Sequence, residues 1–162
     1  MSLDLSTVFE KAEQTPEEDA IQPVTSNAKT EARLVAVQGV YRHLLLEDGA
    51  EAIKQTFNGS YLKKRRANKG HFRKVLETAI TEAGRYRAML EPLLAENWQW
   101  DRVGYVEKAI LFCGVAELDA CQDIPLKVVL NEYITIAHSY FEEGEVRFIN
   151  GLLDKAARQL RA

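Results

Sequence analysis

Cysteine is nearly absent from this chain: Cys113 and Cys121 are the only two among 162 residues. Their separation of eight positions matches neither a zinc-ligand pattern nor a redox Cys-x-x-Cys pair. That leaves them as reduced core residues of a cytoplasmic protein. Histidine is equally thin. His43, His71 and His138 stand apart, and Glu132 is six positions from His138, off the three- or four-residue spacing that puts two side chains on one helix face. No His-Glu-x-x-His, Walker or Gly-x-Gly-x-x-Gly pattern occurs. The expectation is a protein that is not an enzyme and uses no metal or cofactor. No apolar run approaches the roughly eighteen residues of a membrane span. Asp4, Glu10 and Lys11 break up the opening residues in a way a signal peptide does not tolerate.

Strand periodicity is missing as well, and helical periodicity takes its place. Hydrophobic residues make up 46% of the chain, enough to bury a core. Leu34, Val37, Tyr41 and Leu44 share one helical face, and Asp48-Gly49 closes that helix. A shorter helix spans Ala50 to Phe57 and stops at Asn58-Gly59. From Phe72 through Val75, Ala79, Ala83, Tyr86 and Leu90 to Leu93 the spacing predicts one long amphipathic helix, bent or restarted at Pro92. Asp101 is the candidate N-cap of a helix through Leu118, and Pro125 opens the next one, which runs to Phe141. Glu142 to Glu145 separate it from a last helix over Val146 to Leu160. The fold class is therefore all-α, about six or seven helices joined by short loops.

Charge divides the chain. Residues 1–27 carry a net −5 and residues 28–162 a net +2. The first segment, with Pro16 and Pro23, reads as an acidic, mobile N-terminal extension, and 28–162 as the folded domain. Within the domain, "YLKKRRANKGHFRK" (61–74) holds seven bases and no acid. Lys63, Lys64, Arg65 and Arg66 suit phosphate contacts, and the aromatic residues among them suit a stacked base. A solvated basic loop is the competing reading. Two interior glycines need explaining too. Gly39 and Gly151 lie inside apolar helical turns, where glycine costs about 1 kcal/mol relative to alanine. Close approach of another helix would account for both.

The segments "VEKAI", "DIPLKVVLNEYITIAHSYF" and "RFINGLLDKAAR" closely resemble the C-terminal half of the NusB family of bacterial transcription antitermination factors. "ARLVAVQGVYRHL" is similar to that family's first helix and "HFRKVLETAI" to its third. The resemblance implies an all-α, NusB-like fold of two packed small helical bundles, and no catalysis. It implies binding to the boxA element of ribosomal RNA leader transcripts together with NusE, a small-subunit ribosomal protein, in an RNA polymerase antitermination complex. Carried over by position, Lys29 and Arg33 match the basic residues of an arginine-rich stretch on the RNA side, while Thr30 and Glu31 replace arginines. Gln38 and Tyr41 match positions near the RNA, and Arg147 with Phe148 matches a Lys-Phe pair. Glu107 matches an acidic position on the NusE-facing surface. The depleted arginine stretch keeps a second reading open: a helical protein-interaction adaptor with weak or no RNA binding.

Overall fold

The computed structural model describes residues 27–161. The acidic extension, apart from Asn27, lies outside the described residues. Among the described residues eight α-helices follow one another: α1 Ala28–Leu46, α2 Ala50–Thr56, α3 Gly59–Lys64, α4 Lys69–Thr81, α5 Ala83–Leu90, α6 Tyr105–Ala120, α7 Leu126–Tyr140 and α8 Glu143–Leu160. Two short 3₁₀ turns, Glu91–Leu93 and Trp100–Arg102, lie between α5 and α6. No strand occurs among the described residues.

Helix α6 is the centre. Twelve of its sixteen residues are buried, and it packs against α1 and α4 as well as against α7 and α8. Such a helix must be apolar nearly all round, and "AILFCGVAEL" supplies that. Helix α1 behaves similarly: every residue from Val35 to Tyr41 is buried, not a single stripe. The α8 face is more one-sided, with Val146, Ile149, Leu152, Leu153, Ala156 and Ala157 inward. Its far end is tied down by Arg161, whose guanidinium donates to the carbonyls of Leu118 (2.9 Å), Cys121 (2.9 Å) and Ile124 (2.5 Å). Both cysteines are buried and unbridged.

Several boundaries depart from the sequence expectation. The long helix breaks at Glu82, ten residues before Pro92, where φ −101° and ψ 12° end α4 and α5 restarts. Pro92 instead sits in a 3₁₀ turn, which accepts its missing N–H. The basic stretch is not a loop: Asn58 caps α3 through bonds to the Ser60 and Tyr61 N–H groups, and Asn68 caps α4 through His71. Asp101 is in a 3₁₀ turn rather than capping α6, whose N-cap is Gly104. Glu143 to Glu145 begin α8 instead of separating two helices, placing their carboxylates at the positive end of the helix dipole.

The two glycines have opposite surroundings. A Cβ on Gly39 would stand 2.8 Å from Leu76 Cδ1 and 3.0 Å from Ile53 Cγ2, so α2 and α4 side chains fill that space. A Cβ on Gly151 would meet nothing within 4 Å, which corrects the close-approach expectation there. Gly151→Ala should therefore stabilise the protein by about 0.5–1 kcal/mol through helix propensity alone. Gly39→Ala should cost about 1–3 kcal/mol by overpacking. Paired urea melts check both signs; equal effects would refute the distinction.

Candidate nucleic-acid interface

The first basic position on α1 turns inward. Arg33 is 2% exposed and forks onto Glu117 of α6, with Nε to both carboxylate oxygens at 2.9 Å and Nη2 to Oε2 at 2.7 Å. Its Nη1 reaches Glu132 of α7 at 2.5 Å. Tyr133 donates its hydroxyl to Glu117 Oε1 (2.8 Å), and Thr30 donates to Glu132 (2.7 Å). His71 of α4 brings Nε2 within 3.1 Å of Glu117 Oε1, close enough for ion pairing though off the line of a hydrogen bond. One arginine thus joins α1, α6 and α7. Burial pushes the Glu117 carboxyl upward, but the neighbouring His71 and Arg33 more than compensate and hold it down to about 2. The sequence expectation puts Arg33 on the RNA side; its guanidinium is instead consumed by two buried carboxylates and offers nothing to a phosphate.

Gln38 and Tyr41 require the same correction. Tyr41 is fully buried, and Gln38, 4% exposed, accepts a hydrogen bond from the Tyr61 hydroxyl at 3.1 Å. Both side chains join the helix packing, so neither is displayed to a strand.

The remaining bases form a surface around the start of α1. The Asn68 N–H bonds to the Ala28 carbonyl at 2.9 Å, which fixes the α3–α4 connector beside Lys29. Arg65, half-buried, stacks over the Tyr61 ring at 5.5 Å and faces Glu31 at 3.6 Å. Lys29, Lys63, Lys64 and Arg66 are exposed, as are Lys69, Arg73 and Lys74 on α4. Arg66 holds φ 56°, the left-handed conformation that turns the chain between α3 and α4. So the structure gathers Lys29 with the α3–α4 bases and leaves Arg65 partly committed to Tyr61 and Glu31.

Arg147 and Phe148 belong elsewhere. Arg161, at the opposite end of α8, bonds to Cys121, which also feels the charges of Lys29 and Lys74. Fourteen helical positions put Arg147 about 20 Å from that end. Arg147 is exposed, while Phe148 is half-buried with its ring 5.2 Å from that of Trp98. Trp98 (45% exposed), in the segment between α5 and α6, and Tyr105 (41% exposed), the first residue of α6, carry no signal in the sequence, where they look like any core aromatics. Near them Glu107 curls back onto the start of α6, accepting the backbone N–H of Gly104 and its own. Its Oε1 stands 2.3 Å from where a Gly104 Cβ would be, so a side chain at position 104 would make the Glu107 carboxylate shift. Burial raises the Glu107 carboxyl, and the nearby Glu145 adds to the rise. Lys108 spreads over Trp100 (5.1 Å) and Tyr105 (5.7 Å). Among the described residues no three His, Cys, Asp or Glu side chains are grouped to hold a metal ion, and no helix is long and apolar enough to cross a membrane.

Residues 30–158 match the model of the NusB family. The transcription antitermination protein NusB of Rhizobium etli (strain CIAT 652) is 31% identical over 157 residues, covering 90% of this chain and 96% of its own. That of Nitrobacter hamburgensis is 30% identical over 144 residues, covering 85% and 90%. The solved structure of NusB from T. maritima superposes with a TM-score of 0.72 at 24% identity, over 85% of this chain and 96% of that one. The likeness includes the all-helical architecture.

Proposed function

The chain belongs to the NusB family, and from that premise we propose that it is a transcription antitermination factor that binds boxA-type RNA from ribosomal leader transcripts together with the ribosomal protein NusE, inside an RNA polymerase antitermination complex. The observation that carries the RNA part is the cluster of Lys29, Lys63, Lys64 and Arg66, all exposed and assembled on one rigid frame by the Asn68–Ala28 bond. Fixed cations on helices bind a flexible polyanion through counterion release, with no sequence reading of their own. Arg147 supplies a separate cationic point, and the edge of Phe148 a place for a base.

The second face takes the protein. Trp98 and Tyr105 are exposed aromatics of the kind that anchor interfaces. Glu107 and Glu145 place negative charge beside them, which favours a basic ribosomal protein through association rate and orientation.

One observation favours the adaptor reading: Thr30 and Glu31 stand where arginines are expected, and Glu31 engages Arg65. Titrating boxA-type RNA with this protein, with and without NusE, separates the two readings. Tight binding that requires or is strengthened by NusE is the expected result. NusE binding with no RNA binding in either condition would establish the adaptor instead.

A further inference from the structure

Helices α2, α3 and α4 enclose an open cleft of about 250 Å³ next to the basic surface. Of its apolar lining, Phe57 is half-buried while Leu62 (3% exposed) and Phe72 (1% exposed) belong to the core beneath, and its rim carries Lys69 and Arg73. Phe57 and Phe72 meet edge to face with centroids 6.4 Å apart. Lys54 also borders the cleft, but its ammonium is already held by Glu51 at 3.0 Å and by Glu77. Lys69 and Arg73 form no ion pair with any described residue. They stand one helical turn apart on α4, which aligns them along the cleft's edge. Gly59 keeps the cleft open: a Cβ there would meet only Lys69 Nζ, at 3.9 Å.

The geometry points to a seat for one unpaired nucleotide of the bound RNA strand, and we propose that the cleft takes its base against the half-buried ring of Phe57 while Lys69 and Arg73 hold the flanking phosphates. The inference rests on the RNA reading above and deepens it, because it gives the strand a fixed anchor beyond α1. Three features commit the cleft to this occupant. The volume lies below the roughly 300–1,000 Å³ of pockets that enclose a drug-sized ligand, and suits one base. An aromatic ring with flanking cations is how single strands are held without base-edge reading. Lys63 and Lys64 continue the positive charge outward from Leu62 on the same short helix.

The test fills the cleft from Gly59, next to Lys69. Gly59 has an ordinary backbone conformation and room above it, so Gly59→Leu should fold. Binding of single-stranded RNA is measured by anisotropy with the whole protein, using a set of strands in which one abasic position is moved along the sequence. The native protein should lose about tenfold in affinity at one abasic position, the scale of a single base–aromatic contact. Gly59→Leu should bind every strand about equally, at that weakened level. Should Gly59→Leu unfold, Lys69→Gln with Arg73→Gln serves: the salt slope should fall by about 1.4, from two phosphates on a single strand, with the abasic minimum retained. A flat abasic profile in the native protein, with RNA still bound, overturns the cleft and leaves the RNA reading standing. Weakened NusE binding by Gly59→Leu with RNA unaffected also overturns it, assigning the cleft to the protein partner. No RNA binding by the native protein overturns both readings together.

Discussion

Arg33→Ala is expected to lower stability by about 3–5 kcal/mol, and with it the melting midpoint by about 10–15 °C, while RNA affinity measured on the folded protein changes less than twofold. The reason is the network it leaves behind. Glu117 has no exposure and Glu132 is 2% exposed, so removing the guanidinium strands two carboxylates in the interior. Arg33→Lys should recover only part of the loss, because a point charge cannot reproduce the fork across both oxygens of Glu117 while reaching Glu132. The same network sets an acid limb. The Glu117 carboxyl is held at about 2 against an ordinary 4.5, so its contribution is fully present above pH 4.5 and is lost as pH falls toward 2. That contribution is on the order of 3 kcal/mol. Urea melts between pH 2 and 6 should show this slope in the native protein and a shallower one in Arg33→Ala. An Arg33→Ala protein of native stability with weakened RNA binding would reinstate Arg33 as an RNA ligand.

That inward arginine was legible in part. Arg33, Val37 and Tyr41 follow one another at four-residue spacing, and the last two already belong to the predicted apolar face. Glu117 interrupts an otherwise apolar run, which is how a paired buried charge looks in sequence. Either sign alone is ambiguous; the pairing across 84 positions is a tertiary fact that no local pattern contains. Helix order and the buried character of α6 could be read from periodicity because packing repeats every turn. The break at Glu82 could not, since the apolar spacing runs straight through it from Ala79 to Tyr86. Gly151 shows the same limit from the other direction: a helical glycine against a neighbour and one against solvent are written identically. The α3 helix was hidden because its six residues, mostly polar, carry too little period to register, although Asn58 is a strong capping residue. The proposed partner face was marked in sequence only by Glu107, whose carboxylate is engaged at the start of its own helix.

With Arg33 committed to the interior, the proposed RNA binding would rest on Lys29, Lys63, Lys64 and Arg66. Replacing all four by glutamine should weaken single-stranded RNA binding about 100-fold near 0.1 M salt and reduce the slope of log affinity against log salt by about 2.8, at 0.7 for each phosphate no longer neutralised. Stability should hardly move, because these side chains are exposed and no ion pair engages them among the described residues. Glutamine keeps the helical propensity of Lys63 and Lys64 near the end of α3, and it tests Arg66 without altering its left-handed backbone by a glycine. Arg65 is left in place, since its stacking on Tyr61 holds α3 against Gln38 of α1 and its loss would mix a packing effect into the result. The companion change, Glu31→Gln, releases Arg65 from its counterion and removes a negative charge beside Lys29. It should therefore tighten RNA binding, by a few-fold at low salt and by little at high salt, as expected for a screened surface charge. The two variants pull in opposite directions on one surface. If the fourfold glutamine protein keeps its slope while Arg147→Gln loses affinity, the strand follows the α8 end instead, and the α3–α4 bases are solvent-facing charge.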